Sequence, residues 1–274
     1  MKRVFCLFFC VLFLCLGGCV AQNETPSLPN VPQADDTASE YTLTLDGRRF
    51  TFEGDSDRIE AVEDRLTILQ GGTYRIRGTL TEGSLQVCVP PDAVVRLILD
   101  GISITSSYHS PLVLKEAACV ILEVEKGSVN RLTDTKRGAV STSLPEGCLT
   151  ATCDLILRGE GALYLSGRQD TALVCGKDLT LSGTALSLSA PEAGVWVGNR
   201  LRMTSGSLTV SAAKRGVVTD QGGAREGLLS FEGGRLVISC SETALKSSGE
   251  IRITGTEASL LAPTKYDAPK IVAP

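Results

Sequence analysis

Between Leu179 and Leu260 the apolar residues of this 274-residue chain fall at the same offsets again and again. Leu179 and Leu181 are followed at plus 7 and plus 9 by Leu186 and Leu188, and at plus 16 and plus 18 by Val195 and Val197. Leu201 opens the next unit 22 residues on, with Leu208 and Val210, then Val217 and Thr219, at those offsets. Leu229 and Phe231 open another, with Leu236, Ile238, Leu245 and Ser247, and Ile251, Ile253 and Leu260 begin one more. The step from Leu201 to Leu229 is 28, and the six extra residues fall in the polar, glycine-rich stretch DQGGAREG. An earlier unit reads Leu155, Leu157, Leu163, Leu165, Leu173 and Cys175.

Each unit is three short runs that alternate apolar and polar, broken by glycine or polar turns. Alternation at period two means a strand with one face buried. The turns within these units are not two-residue Asn-Gly types, so the runs are not expected to pair as hairpins. Each run is expected to pair in parallel with its equivalent one unit later. That winds the chain into a coil, and stacked coils make a parallel β-helix. The pattern continues less strictly upstream through YTLTLDGRRFTF, RLTILQGGTYRIRGTL and VVRLILDGISITSSYHSPLVL. About eight or nine coils are expected, an all-β rod on the order of 40 Å long at roughly 4.8 Å per coil. The competing architecture is an antiparallel β-sandwich, which does not account for the repeated offsets.

The N-terminal residues are of another kind. Lys2 and Arg3 precede an apolar run from Val4 to Leu16, shaped like a secretory signal. It ends Leu16-Gly17-Gly18-Cys19, which resembles the lipobox of bacterial lipoproteins. That resemblance implies cleavage before Cys19 and lipidation of Cys19. The division expected is a signal peptide over 1–18, a lipidated cysteine and tether over 19–40, a β-helix domain over 41–263 and a C-terminal tail over 264–274. Residues 20–40 are rich in proline and small polar residues, as a tether should be. The expected location is the extracellular face of the bacterial membrane, with the lipid as the membrane contact.

Without Lys2 and Arg3 the chain has 25 basic and 31 acidic residues, a net charge of −6. With no basic block, nucleic acid is not an expected partner. Six cysteines remain beyond Cys19: Cys88, Cys119, Cys148, Cys153, Cys175 and Cys240. Several stand where the pattern wants a small buried residue, so most are read as free buried thiols.

Function must sit on the outward positions. In the third run of successive coils the residue between the two inward ones is Val174, Trp196, Val218 or Lys246, and these are expected to stack as a solvent-facing row. The stripe holds the only tryptophan in the chain. A pyranose ring has an apolar face that packs on an aromatic ring, so Trp196 is the leading candidate for glycan contact. A covering loop, or the C-terminal segment around Tyr266, would give the stripe a structural role instead. Asp170, Glu192 and Glu242 precede third runs, and Asp178 precedes a first run. Carboxylates stacked on loops are what calcium requires, although Lys214 interrupts this row. His109 is the single histidine, so no second histidine is available for a catalytic cluster. Arg75 and Arg77 share a face suited to a carboxylate. No carboxylate pair is marked out for glycoside hydrolysis, and no catalytic residue is assigned.

The segment VRLILDGISITSSYHSPLVLKEAACVILEVEKGSVNRLTD, with the later GKDLTLSG, GSLTV and GGRLVIS, resembles a family of clostridial carbohydrate-binding surface proteins. The resemblance implies a right-handed parallel β-helix similar to pectate lyases, calcium binding, and affinity for plant cell-wall polysaccharides such as cellulose and pectin. Coils of that family often carry Asn-Asp-Gly-Ile entering the third strand, followed by Gly-Lys-Asp-Asp. Here the entries read Asp170-Thr171-Ala172-Leu173, Glu192-Ala193-Gly194-Val195, Lys214-Arg215-Gly216-Val217 and Glu242-Thr243-Ala244-Leu245, and Gly176-Lys177-Asp178 keeps part of the second motif. The function expected is non-catalytic binding of a polysaccharide by a surface lipoprotein. The alternatives are a calcium-dependent polysaccharide lyase and a structural or adhesive stalk.

Overall fold

A computed structural model describes residues 39–135, 146–219 and 227–273. The signal segment, Cys19 and all but the last residues of the tether lie outside the described residues. The strands stack in three columns. The first includes Cys119–Val124, Asp154–Gly159, Leu179–Ser182, Arg200–Met203, Leu228–Phe231 and Glu250–Ile253. The second includes Val129–Asp134, Ala162–Ser166, Ala185–Ala190, Ser207–Ala212, Arg235–Ser239 and Glu257–Leu261. The third includes Gly147–Ala151, Thr171–Cys175, Ala193–Val197, Arg215–Thr219 and Thr243–Ser247. Each strand pairs in parallel with its counterpart one coil away, so the chain is a parallel β-helix. In the first column Leu179 stands opposite Leu201, Leu201 opposite Leu229, and Leu229 opposite Ile251. The 22-residue spacing is therefore one turn of the helix, and the 28-residue step is a turn with a longer loop.

These rows close the core. Leu201, Leu208, Val217, Leu229, Leu236 and Leu245 have no exposed surface. Burying such a side chain contributes about 1.5–3 kcal/mol, and no single coil could supply that shelter alone. Corners between columns one and two need tight backbone. Gly206 takes φ +85°, and a Cβ there would lie 2.5 Å from the Thr184 carbonyl oxygen. At an earlier corner the fully buried Asn130 accepts the backbone N–H groups of Gly101 and Ile102 on its Oδ1, at 3.0 and 2.9 Å. Its Nδ2 donates to Ser128 Oγ at 2.8 Å, so a polar side chain ties one coil to the next without an unsatisfied atom.

Both ends depart from the repeat. At the N-terminal end Glu40–Gly47 pairs antiparallel with Arg49–Glu53, and Ile59–Val62 antiparallel with Arg65–Ile68. Two hairpins thus lie against the first coil. Early coils also fuse their first two runs into long strands, such as Val94–Ser106. At the other end the stacking does not stop at Pro263. Thr264–Asp267 pairs with Thr243–Ser247, and Lys270–Val272 with Glu250–Ile253, so residues expected to form a tail make the last rung. The only helical turn among the described residues is the 3-10 segment Ser56–Arg58. The six cysteines among the described residues are free; Cys119, Cys148, Cys153 and Cys175 are buried.

Candidate functional site

The three outer faces differ in chemistry. The first carries arginines matched with carboxylates across rungs. Glu123 accepts from both Arg96 and Arg158, with N–O distances of 2.8 Å to each. Arg202 pairs with Glu232 at 2.6 Å and Lys270 with Glu250 at 3.0 Å across rungs, while Arg252 pairs with Glu250 along its own strand at 2.8 Å. Arg75, read from sequence as a possible carboxylate binder, holds the protein's own carboxylates: Glu40 at 2.6 Å, Glu125 at 2.7 Å and Asp100 at 3.5 Å. Arg77 donates to Thr44 Oγ1 at 3.3 Å. These pairs satisfy one another and leave little for a charged ligand.

The third face carries the row expected for glycan contact. Val174 is opposite Trp196, Trp196 opposite Val218, and Val218 opposite Lys246. The stacking is as expected, but the exposure is not uniform. Val174 and Val218 are 2 % and 1 % exposed, so they are not solvent-facing contacts. A valine is short, and each of these two stands one rung from the bulkier indole. Trp196 itself is half-buried. Lys246 is half-buried as well, with its ammonium 3.6 Å from Asp267 on the last rung. Trp196 and Lys246 therefore remain as the accessible members of the row.

The same outward row runs back through Thr150, Val113 and Gln86 to Thr67. At that end lies a groove of about 260 Å³, lined among others by Glu60, Arg65, Thr67, Gln86, Cys88 and Lys115. Four rungs separate Gln86 from Trp196, about 19 Å. One wall of the groove is the hairpin Ile59–Val62 with Arg65–Ile68, which is why the repeat alone did not reveal it. A hairpin signal was present in Asp46-Gly47 for the neighbouring pair, but the turn at Glu63-Asp64 has no glycine. Glu63 instead takes φ 55°.

The carboxylates expected to hold calcium fall at two corners. The N–H of Glu192 donates to the Asp170 carbonyl at 2.9 Å, and that of Glu242 to the Lys214 carbonyl at 2.9 Å, so Asp170, Glu192 and Glu242 share one edge. Asp178 lies at a different corner. Two acids of the edge row are already committed: Lys214 Nζ donates to Glu192 at 2.6 Å, and this bond raises the lysine's pKa. The Asp170 carboxylate accepts the Glu146 N–H at 3.1 Å. Asp178 accepts Arg200 Nε at 3.2 Å, and that bond raises the arginine's pKa. Among the described residues no three His, Cys, Asp or Glu side chains come together as a metal site. The four carboxylates do not fit a single calcium shell.

His109 sits 3.7 Å from Asp64 on the early turns. It is far in sequence from the Trp196 rung, and its backbone N–H donates to Ser106 Oγ at 3.2 Å.

Comparison with known proteins bears on both fold and class. A family profile described as carbohydrate-binding domain-containing protein matches residues 62–270. A protein of Acetivibrio thermocellus with that same description is 26% identical over 137 residues, covering 49% of this chain. The match spans 48% of that relative's length, about half. Among solved structures, the polysaccharide lyase-like protein from C. thermocellum, as a gadolinium derivative, superposes with a TM-score of 0.74 at 19% identity. It covers 86% of this chain and 100% of its own. At that identity the likeness establishes the fold, a right-handed parallel β-helix.

Proposed function

The chain belongs to the family of carbohydrate-binding domain-containing proteins, and from that premise we propose that it is a non-catalytic polysaccharide-binding protein in which Trp196 packs against the ligand. The carrying observation is the placement of the single tryptophan, half-buried on an outer face of the β-helix between two sheltered valines. The rungs below hold the backbone rigid, so the indole is presented with little conformational freedom left to lose on binding. Lys246 and the groove near Gln86 lie on the same sheet and offer polar contacts. A polysaccharide bound at several such points gains avidity from contacts that are each weak.

The plant cell-wall glycans, cellulose and pectin, are the ligands this reading favours, in line with the family resemblance in the sequence. On the sequence of its first 19 residues, we place the protein on the outer face of the bacterial membrane, lipidated at Cys19 and projecting from the tether. Metabolic labelling with a fatty acid, lost in Cys19→Ala, checks that placement.

The test of binding is a depletion assay on insoluble cellulose, xylan and cross-linked pectin. The wild type is expected to be retained on at least one, and Trp196→Ala to be retained about 10-fold less, a change of about 1.4 kcal/mol. No retention of the wild type on any glycan overturns the reading. A lyase would release unsaturated uronides that absorb in the ultraviolet; their appearance from pectin would replace the non-catalytic role with the enzymatic one.

A further inference from the structure

The second outer face bears an aromatic ring of its own. Tyr164 is 43% exposed. On the rung before it stands Arg131, in register, with its guanidinium carbon over the ring at 5.2 Å from the centroid. On the rung after it stands Ser187. The geometry has a direct consequence. Arg131 covers the ring face that looks back along the rod, so the opposite face looks forward over Ser187. A serine is too short to cover a phenol ring, and that face stays open.

The ground in front of the ring is uniform. The outward positions of the next two rungs are Ala185, Ser187 and Ser189, then Ser207, Thr209 and Ser211. Ser189, Thr209 and Ser211 are exposed. None of these side chains is charged. Hydroxyl groups both donate and accept, which suits a ligand whose own edge is made of hydroxyls. An exposed aromatic ring held by a cation on one side and free on the other has the form of a stacking platform.

We propose that Tyr164 is a second glycan-contact site, on a different face from Trp196, which stacks a neutral pyranose on its open side while Ser187, Ser189, Thr209 and Ser211 bond the sugar hydroxyls. Arg131 is a positioning residue that holds the ring upright. The inference rests on the carbohydrate-binding reading. It adds that the protein engages polysaccharide on two faces, and that this face selects uncharged sugars. Two faces on one rod allow it to bridge two chains of a polymer network.

The test uses the whole protein and four forms: wild type, Trp196→Ala, Tyr164→Ala and Ser187→Phe. Tyr164 is exposed, so its removal spares the core, and the Ser187→Phe ring is expected to lie against Tyr164 and occupy its open face. Retention is measured on insoluble cellulose and on cross-linked polygalacturonate. The expected result is retention on cellulose about 5- to 10-fold weaker for both Tyr164→Ala and Ser187→Phe, with polygalacturonate retention unchanged. Wild-type retention that neither substitution alters overturns this inference and leaves the carbohydrate-binding reading standing. Equal losses on cellulose and polygalacturonate overturn the preference for neutral sugars. A wild type retained on neither polymer, nor on any other glycan, overturns the underlying reading and this site with it.

Discussion

Asn130 Oδ1 accepts the backbone N–H of Ile102 at 2.9 Å, joining two successive coils through a side chain with no exposed surface. The same oxygen takes the N–H of Gly101, and the amide nitrogen is bonded to Ser128. Replacing Asn130 with leucine leaves the buried Ile102 N–H without a partner, while the N–H of the exposed Gly101 can turn to water. An unsatisfied buried donor costs about 1–3 kcal/mol. Asn130→Leu is expected to lower the unfolding free energy by about 1–3 kcal/mol, read from urea melts. A change under about 0.5 kcal/mol would mean water reaches that corner.

The corner glycine gives a sharper case. Gly206 holds φ +85° with the Thr184 carbonyl at 2.5 Å from where a Cβ would stand. Gly206→Val adds a branched side chain to a left-handed backbone position. We expect a loss of more than about 2 kcal/mol, visible as a lowered Tm, with the spacing of adjacent rungs disturbed. A Tm equal to that of the wild type would show that the corner can relax.

The stability of the first face should depend on acid. Burial raises the pKa of Glu123, but the hydrogen bonds from Arg96 and Arg158 outweigh burial and hold the carboxyl below its ordinary range. Glu232 lies low chiefly through Arg202. For a carboxylate with a depressed folded pKa, the contribution is fully present above the unfolded value, near 4.3, and is lost as pH falls through the folded pKa. Unfolding free energy is therefore expected to fall progressively below about pH 4. Glu123→Gln should flatten part of that slope, at the cost of stability near neutral pH. Urea melts from pH 3 to 7 check this, and an unchanged acid limb in Glu123→Gln would assign the slope elsewhere.

Thiol reactivity follows the core. Burial pushes the Cys119, Cys148 and Cys175 thiols up to about 12 and Cys153 up to about 11. The thiolate is the reactive form. Iodoacetamide at pH 8 is expected to label the folded protein at Cys88 and more slowly at Cys240, both half-buried, since burial also raises the Cys240 thiol, and Cys119, Cys148, Cys153 and Cys175 only in denaturant. Mass spectrometry of the labelled peptides decides it; rapid labelling of Cys175 in the folded state would mean that the third column opens.

Much of the fold was legible because a β-helix writes its geometry into the spacing. The row Leu179, Leu201, Leu229 and Ile251 could be read from offsets, since each inward residue has the same neighbour relation in every coil. The capping hairpins were not, because they occur once and leave no period. Nor was the last rung through Val272, where Tyr266 replaces the usual aliphatic residue opposite Leu245. At the candidate site the offsets place Val174, Trp196, Val218 and Lys246 in one row, as the rung register does, but they carry no sign that the two valines are buried. Alternation says which way a side chain points, while shelter depends on the size of its neighbours. Tyr164 lay at an outward position all along. Its significance comes from Arg131, which the rung register places against it although 33 residues separate them in the chain.

Fluorescence offers the most direct test of the central claim, because Trp196 is the only tryptophan and its emission reports on that one position. The protein is titrated with soluble xyloglucan, mixed-linkage β-glucan and polygalacturonate. Binding of a sugar over the indole should displace water and give a saturable shift of the emission to shorter wavelength with at least one of them. An emission spectrum unmoved by a glycan that the same protein retains on beads would contradict the role of Trp196.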